Sequence, residues 1–425
     1  MTSNQATETA PSIETAREAV KAKSDGRRFV GLDGLRGYLA LCVVLVHTLG
    51  LFAPVVLHRT HADLLGQAIV VFFALSGFLI YLPFMYRILD ARPLPSIRDY
   101  ARGRIFRVYP AYIVIFLIAN FALSGLFLSN AMETMVPGSD AGTGMITDPL
   151  RLLLHLTLLQ NYFPGELQTG INSSWTLTIE ITFYALLPLL SLAALRLGRS
   201  WTGRRRYLLA ALPGLALVAL GAVSRVIAWV LYEGTGISLL DAEWGANPIG
   251  VFSRSFAVWS DNFGWGMLAI VAFAAVQRGE LTRVGRLKPR TAALALLAIA
   301  LVAAAASVLI ETRPLPFIVA AGSAAFILVL VLPNRRGVTS AFSRAVDWAP
   351  VRYVGMVSLS TYLWHYPVLL MVLRLGIGFP DTILGAATNI AMVSAISVAL
   401  ASVSYWLVER PAQAFAARRA ASRRQ

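Results

Sequence analysis

The sequence predicts an all-α fold, a polytopic membrane helix bundle of about ten transmembrane helices with both termini in the cytoplasm. Hydrophobic residues make up 57% of the 425 residues and charged residues only 14%, and the mean hydropathy is +0.66. The apolar stretches are about 20 residues long, the length that crosses a bilayer. Because they occupy most of the chain, the composition excludes a large soluble domain.

The apolar stretches set the predicted domain organisation. We place spans near residues 35–55, 66–86, 109–128, 174–195, 208–232, 251–277, 291–311, 315–333, 353–374 and 382–408. Residues 1–28 are polar and predict a disordered cytoplasmic tail. The membrane domain covers residues 29–411, where Pro411 is expected to stop the last helix, and residues 412–425 form a basic cytoplasmic tail.

The net charge of +15 follows the predicted topology. All but six of the 37 lysines and arginines fall in segments that would share the cytoplasmic side, as the positive-inside rule requires. The charge therefore indicates a multi-pass protein of the cell membrane, with the lipid bilayer as its surroundings and no nucleic acid as a partner.

The first span carries two polar residues whose spacing puts them on the same face of a helix. It reads G-L-D-G-L-R-G-Y-L-A-L-C-V-V-L-V-H, with Arg36 near its start and His47 eleven residues later. That separation puts both side chains on one helix face, about 16 Å apart along the axis. Polar groups inside a membrane are costly and usually face a bundle interior or a cavity, so His47 is a candidate catalytic residue.

Spans two and four add further polar positions. Ser76 and Gly77 interrupt an apolar run, and we expect Gly77 to permit close helix packing and Ser76 to line a substrate cavity. Span four opens S-S-W-T-L-T-I-E, where Trp175 is placed at the cavity and Glu180 inside the membrane. A carboxylate there must be protonated, solvated or paired.

Arginines cluster before span three, in R-G-R-I-F-R, at Arg102, Arg104 and Arg107. Such a cluster at a cavity mouth suits the phosphates of a nucleotide-bearing donor. Anionic lipid headgroups and membrane topology are the alternative explanations.

Span nine contains the second buried histidine. His365 follows Tyr362 in S-T-Y-L-W-H-Y-P-V, and Pro367 is expected to kink the helix. Counting about 1.5 Å per residue in a core of about 30 Å puts His47 and His365 at similar depths, with Glu180 within a turn of that level. A histidine with a carboxylate partner is an arrangement that takes a proton from an alcohol.

The remaining charged residues inside the predicted spans are expected to have a structural role, and no metal site is expected. Arg225 and Asp261 are expected to form an ion pair, and Arg254 lies on the same face of span six as Asp261. His58, His61 and Asp63 have a spacing that suits a metal, but they offer only two imidazoles and no third strong ligand.

These motifs together resemble the integral-membrane acyltransferase family 3. The matching segments are L-D-G-L-R-G with the R-x10-H arrangement, F-F-A-L-S-G-F-L-I, S-S-W-T-L-T-I-E-I-T-F-Y, S-T-Y-L-W-H-Y-P-V and the closing V-E-R-P. The resemblance implies a membrane O-acyltransferase that moves an acetyl or other short acyl group from acyl-coenzyme A. The acceptor would be a hydroxyl of a glycan, a lipid-linked sugar or a secondary metabolite such as a macrolide.

The resemblance also implies roles for particular residues. His47 corresponds to the essential histidine of the family, Arg36 to its arginine, and Glu180 to the acidic residue of the fourth-span motif. We expect His47 to act as general base with Glu180 orienting it, and Tyr362 and His365 to stabilise the oxyanion.

Arg36 with Arg102, Arg104 or Arg107 would contact the coenzyme A phosphates. Direct transfer and an acyl-histidine intermediate both fit. The alternative function is a proton-coupled transporter or flippase for a glycolipid.

Overall fold

Helices follow the apolar stretches of the chain. The computed structural model describes residues 29–310, 314–333 and 339–421. The predicted tail of residues 1–28 lies outside the described residues, as do residues 422–425 of the predicted basic tail. The α-helices of the first half are α1 Leu32–Phe52, α2 Pro54–Thr60, α3 Ala68–Leu89, α4 Ile97–Leu117, α5 Ala131–Thr134, α6 Pro149–Leu156, α7 Trp175–Leu197 and α8 Arg205–Glu233.

The second half is also helical. Its α-helices are α9 Leu239–Trp244, α10 Pro248–Ser253, α11 Phe256–Gln277, α12 Pro289–Leu309, α13 Leu315–Val331, α14 Ala341–Val346, α15 Ala349–Met356, α16 Ser358–Arg374, α17 Ile383–Ser404 and α18 Arg410–Ala421. Short 3-10 helices cover Ala62–Gln67, Gln160–Tyr162, Pro164–Glu166 and Asn172–Ser174, and π-helical turns cover Ile118–Ala122 and Tyr405–Glu409. Strands β1 Leu126–Phe127 and β2 Thr143–Gly144 pair antiparallel, with Leu126 opposite Gly144.

The helices confirm the all-α membrane bundle. Within the described residues, eight helical segments are long and apolar enough to cross a membrane, and the bent pair α15 and α16 makes a ninth. The eighth predicted span corresponds to α13, a shorter apolar helix of 17 residues. The chain is therefore a multi-pass membrane protein, while the cytoplasmic location of its termini stays a prediction.

Several predicted helix boundaries were wrong. The ninth span bends by 78° at Val357, where the backbone leaves helical geometry, and continues through Pro367 without ending. Pro411 does not stop the last helix, because the helix continues from α17 through the π-helical turn Tyr405–Glu409 and past the proline to Ala421. The third span starts at Ile97, so the predicted arginine cluster is helical rather than in a loop.

Helix α11 is the centre of one half of the bundle and packs against α3, α8 and α13. Two glycines let its backbone approach α3. A Cβ added at Gly77 would lie 2.1 Å from the carbonyl oxygen of Phe263, and one at Gly266 would lie 1.9 Å from that of Ala74. The predicted packing role of Gly77 is confirmed.

Helix α1 joins this core to the other half of the bundle. It packs against α3 on one side and against α15, α16 and α17 on the other. These contacts bring the first and ninth predicted spans together, although they are more than 300 residues apart in sequence. The two buried histidines thus come from neighbouring helices.

We predict that Gly77→Ala lowers thermal stability in detergent. The new methyl group would meet backbone atoms of α11 that cannot move aside independently, and overpacking of this kind costs about 1–3 kcal/mol. The matched control is Gly103→Ala on α4, where no heavy atom lies within 4 Å of the added Cβ. Equal unfolding temperatures for the two variants would contradict the close approach of α3 and α11.

Candidate active site

The site is built around two imidazoles in direct contact. Nδ1 of His47 on α1 lies 3.0 Å from Nε2 of His365 on α16, and the rings stack with centroids 5.0 Å apart. His365 is fully buried, whereas His47 lines a cavity. The two histidines, which the sequence places at similar depths, are thus hydrogen-bonded to each other.

The hydrogen-bond network assigns the tautomers of the pair. Nδ1 of His365 lies 2.6 Å from the carbonyl oxygen of Tyr362, which can only accept, so this nitrogen carries the proton. Nε2 of neutral His365 then accepts from the Nδ1–H of His47. The lone pair of His47 is left on Nε2, where it can take a proton.

His47 opens into a cavity of about 1100 Å³, here called the histidine cavity. Its walls are rich in aromatic rings, and polar side chains from the segment before α7 cover part of it. The residues that line it include Trp175, Trp229, Trp244, Trp259, Tyr362, Tyr366, Gln67, Gln168, Asn172 and Arg254. The volume is that of a site for a small molecule.

Trp175 lines the histidine cavity and belongs to a cluster of tryptophans around Arg254. The Arg254 guanidinium lies 5.3 Å from the Trp175 ring centroid and 3.1 Å from that of Trp244. It also pairs with Glu243 at 3.0 Å, rather than with Asp261. The expected pair of Arg225 and Asp261 is present at 3.0 Å. These ion pairs hold the cavity wall.

Glu180 does not reach His47. Thr176 donates to the Tyr362 hydroxyl, and Asn172 donates to the Tyr366 hydroxyl, so α7 and α16 run antiparallel here. Glu180, four residues beyond Thr176, therefore lies about one turn farther from the histidine pair. Its described hydrogen bond is with Ser76, which donates to it at 3.0 Å.

This geometry corrects two expectations from the sequence. His365, not Glu180, is the partner of His47, since the chain direction of α7 carries the carboxylate away from the imidazoles. Ser76 is not among the described residues that line the histidine cavity. Glu180 instead interacts electrostatically with Arg36.

Tyr362 and His365 have already used their donors. The Tyr362 hydroxyl donates to the Ser173 carbonyl at 3.1 Å, and the His365 Nδ1–H donates to the Tyr362 carbonyl. Neither group offers a free proton to an oxyanion, in contrast to the expectation from the sequence.

Arg36 and Arg107 line a second cavity of about 540 Å³, here called the arginine cavity. Arg352 contributes a third guanidinium, while Asp33 and Glu409 supply acidic groups. Arg36 lies 3.7 Å from Asp33. The cavity is therefore lined by three guanidinium groups and two carboxyl groups.

The other two predicted arginines point elsewhere. Arg102 lies 3.6 Å from Asp99, and Arg104 lies over the Tyr184 ring at 5.8 Å. Neither is among the described residues that line the arginine cavity. On a helix, residues 102, 104 and 107 face different directions, so a cluster in sequence does not become a cluster in space.

A loop segment before α7 closes one side of the histidine cavity. Glu166 accepts from Arg151 at 2.7 Å, and Thr169 lies 3.1 Å from Nε2 of His155. Burial would raise the pKa of Glu166, but hydrogen bonds from His155 and Arg151 outweigh it and hold the pKa below its ordinary value. This cluster fixes the residues that follow it, including Gln168.

Sequence reasoning missed Tyr366 and Gln168 as site residues. Tyr366 follows His365 directly, and its position four residues after Tyr362 on α16 was a usable signal, because both then share a helix face. Gln168 carries no sequence signal, since its placement depends on the loop fold.

Comparisons with known proteins agree with the motifs. A family model described as an acyltransferase domain matches residues 29–409. The acyltransferase MdmB of Streptomyces mycarofaciens is 32% identical over 169 residues, covering 38% of this chain and 39% of that protein. YrhL of Bacillus subtilis, assigned as a peptidoglycan O-acetyltransferase, is 25% identical over 404 residues, covering 92% of this chain and 56% of that protein.

The matches thus cover about half or less of the curated relatives' own length. No solved structure matches the chain.

We predict that Glu166→Gln destabilises the protein at neutral pH. Because the pKa of Glu166 is lowered on folding, its stabilising contribution is present above the ordinary value of 4.5 and is lost as the pH falls through the lowered pKa. Thermal unfolding of wild type and variant should therefore differ most near pH 7 and converge in acid. A difference that stays constant from pH 7 to pH 3 would contradict this role.

Proposed function

The chain belongs to acyltransferase family 3, and we propose that it moves a short acyl group from acyl-coenzyme A to a hydroxyl, with His47 as general base. The proposal places the catalytic unit in residues 29–411. The acceptor would be a hydroxyl of a carbohydrate, a glycolipid or a macrolide-type metabolite.

One observation carries the proposal: a single helix lines both cavities. Helix α1 places Arg36 in the arginine cavity and His47 in the histidine cavity, about 16 Å farther along the axis. This distance is comparable to the length of an extended pantetheine arm. A donor anchored by its phosphates at Arg36 can therefore present its thioester near His47.

In the proposed reaction, His47 carries one proton from the acceptor hydroxyl to the thiolate. Its Nε2 takes the proton of the acceptor hydroxyl as the oxygen attacks the thioester carbonyl. When the tetrahedral intermediate collapses, the carbon–sulfur bond breaks and the imidazolium returns the proton to the thiolate. The products are an ester and free coenzyme A. His365 positions His47 by accepting a hydrogen bond from its Nδ1–H. The third residue of a catalytic triad orients its histidine base in the same way.

The arginine cavity supports a polyanionic donor. Arg36, Arg107 and Arg352 offer guanidinium groups that pair well with phosphates. The predicted topology places this cavity on the cytoplasmic side, where acyl-coenzyme A is available. Glu180 and Ser76, between the two cavities, would balance the charge of Arg36 rather than touch the reacting atoms.

The histidine cavity supports an acceptor with apolar faces. Tryptophan rings stack against sugar rings and other flat apolar groups, and four of them line this cavity. The name of the relative YrhL makes an envelope glycan one acceptor class. The resemblance to family 3 makes lipid-linked sugars and macrolides the others.

Transport is the second candidate function, because the two cavities lie along the same helices. In a proton-coupled transporter or flippase the histidine pair would carry protons instead of activating a hydroxyl. The two functions differ in one product, since only an acyltransferase releases free thiol from acyl-coenzyme A.

We predict that His47→Ala abolishes acyl transfer while the protein still folds and binds donor. Loss of a general base costs about 10²–10⁴-fold in rate. His365→Phe keeps a stacked ring but removes the acceptor for the His47 proton, so it should give a smaller loss. The assay is thiol release from acetyl-coenzyme A and longer donors, with and without an envelope-glycan extract.

The matched control is His58→Ala, an exposed histidine that should leave turnover unchanged. Thiol release that persists in His47→Ala would overturn the proposed base. Absence of both release and donor binding in folded wild-type protein would favour transport.

We predict that Arg36→Ala and Arg107→Ala raise the KM for acyl-coenzyme A, whereas Arg102→Ala and Arg104→Ala change it little. A hydrogen bond to a charged group contributes about 1.5–3 kcal/mol, so each loss should raise the KM roughly ten- to hundredfold. Arg98→Ala, exposed on the same helix α4, is the control. Equal effects of all the arginine variants would argue against a specific donor site.

A further inference from the structure

We propose that Gln168 and Tyr366 are the catalytic hydrogen-bond donors that bind the thioester carbonyl oxygen as it becomes an oxyanion. The inference rests on the proposed function and adds to it two residues that the sequence did not indicate. It starts from the requirement that a tetrahedral oxyanion in a membrane-embedded site needs donors held in place beforehand.

Tyr366 is next to the base and has a hydroxyl proton to give. Its ring centroid lies 4.7 Å from that of His47, and its side chain lines the histidine cavity while being 6% exposed. Its hydroxyl oxygen accepts from Asn172 Nδ2 at 3.2 Å. Among the described residues its proton has no acceptor, so Asn172 fixes the hydroxyl and leaves the proton for a ligand.

Gln168 has a buried donor without a partner. The residue is 4% exposed and lines the same cavity, and in the described part of the chain its Nε2 finds no acceptor. Its backbone has φ of 63°, in the left-handed region that non-glycine residues rarely occupy. Strain of this kind persists where surrounding contacts enforce it, and it clusters at functional sites.

The loop contacts place Gln168 on the Tyr366 side of the cavity. The Gln168 carbonyl accepts from the Ala131 amide at 3.1 Å, and Gly170 exchanges backbone hydrogen bonds with Phe127. Ala131 and Phe127 pack with Tyr366 in one apolar cluster, where the Phe127 and Tyr366 ring centroids are 5.8 Å apart. Gln168 and Tyr366 are thus attached to the same small cluster, beside His47.

The two donors fit the proposed reaction step. As the acceptor oxygen bonds to the carbonyl carbon and its proton passes to His47 Nε2, the carbonyl π electrons move to oxygen. That oxygen accepts from Gln168 Nε2–H and the Tyr366 hydroxyl. When the carbonyl re-forms, the thiolate leaves and takes the proton from His47, so both donors end the cycle unchanged.

The test uses Gln168→Met and Tyr366→Phe, which keep side-chain size and remove the donor. Each should lower kcat for thiol release about 10²- to 10³-fold, the usual cost of one oxyanion donor, with little change in the KM for acyl-coenzyme A. Gln277→Met is the matched control, because Gln277 lies at the end of α11 and is not among the described residues that line either cavity. It should retain kcat.

The outcomes separate this inference from the proposed function. Full kcat in both Gln168→Met and Tyr366→Phe, with the wild type active and His47→Ala inactive, overturns the donor assignment alone. A loss of kcat matched by a fall in unfolding temperature or by an equal loss in Gln277→Met also overturns it, since the effect is then structural. Gln168→Asn, which keeps an amide donor on a shorter side chain, should recover part of the lost kcat.

Discussion

The hydrogen bond between His47 and His365 is the contact on which the site depends. It joins α1 to α16 inside an apolar bundle, where an unpaired imidazole nitrogen would be costly. The chain of donors runs in one direction, from His47 to His365 and on to the Tyr362 carbonyl. Because each nitrogen of the two rings except His47 Nε2 has a partner among the described residues, the remaining lone pair is fixed on the side of the cavity.

Several charged groups of the membrane region are paired with one another or with polar side chains. Arg225 pairs with Asp261, Arg254 with Glu243, and buried Glu409 accepts a hydrogen bond from Ser360. Gln168 belongs to none of these pairs, and in the described part of the chain its buried amide nitrogen has no partner. Buried polar atoms without a partner also occur away from the cavity, for example at Asn262 and Trp265, so under the proposed function it is the position of Gln168 on the cavity wall that distinguishes it.

The sequence predicted the parts of the site that depend on helix geometry alone. Counting residues along apolar spans was enough to bring His47 and His365 to one depth and to separate Arg36 from His47. Residue counting did not predict the features that depend on how a helix is rotated about its own axis or on how neighbouring helices are aligned. The level of Glu180 depends on where α7 starts relative to α16, and the arginines of α4 separate because the segment is helical. Gln168 depends on a loop, whose conformation no periodicity encodes.

The two cavities differ in charge, and this difference limits what has to move during transfer. Under the proposed function, the phosphates of the donor stay with Arg36, Arg107 and Arg352. The arginines of the tryptophan-lined cavity, Arg225 and Arg254, are already paired with Asp261 and Glu243, so moving the phosphates there would strip their hydration with little compensation. Only the neutral pantetheine arm and acyl group need to pass the level of Glu180. One face of α16, from Ser358 in the arginine cavity to Tyr362 and Tyr366 in the histidine cavity, spans this interval. Acyl transfer between the two ends of the bundle therefore requires no charged group to cross the apolar interior.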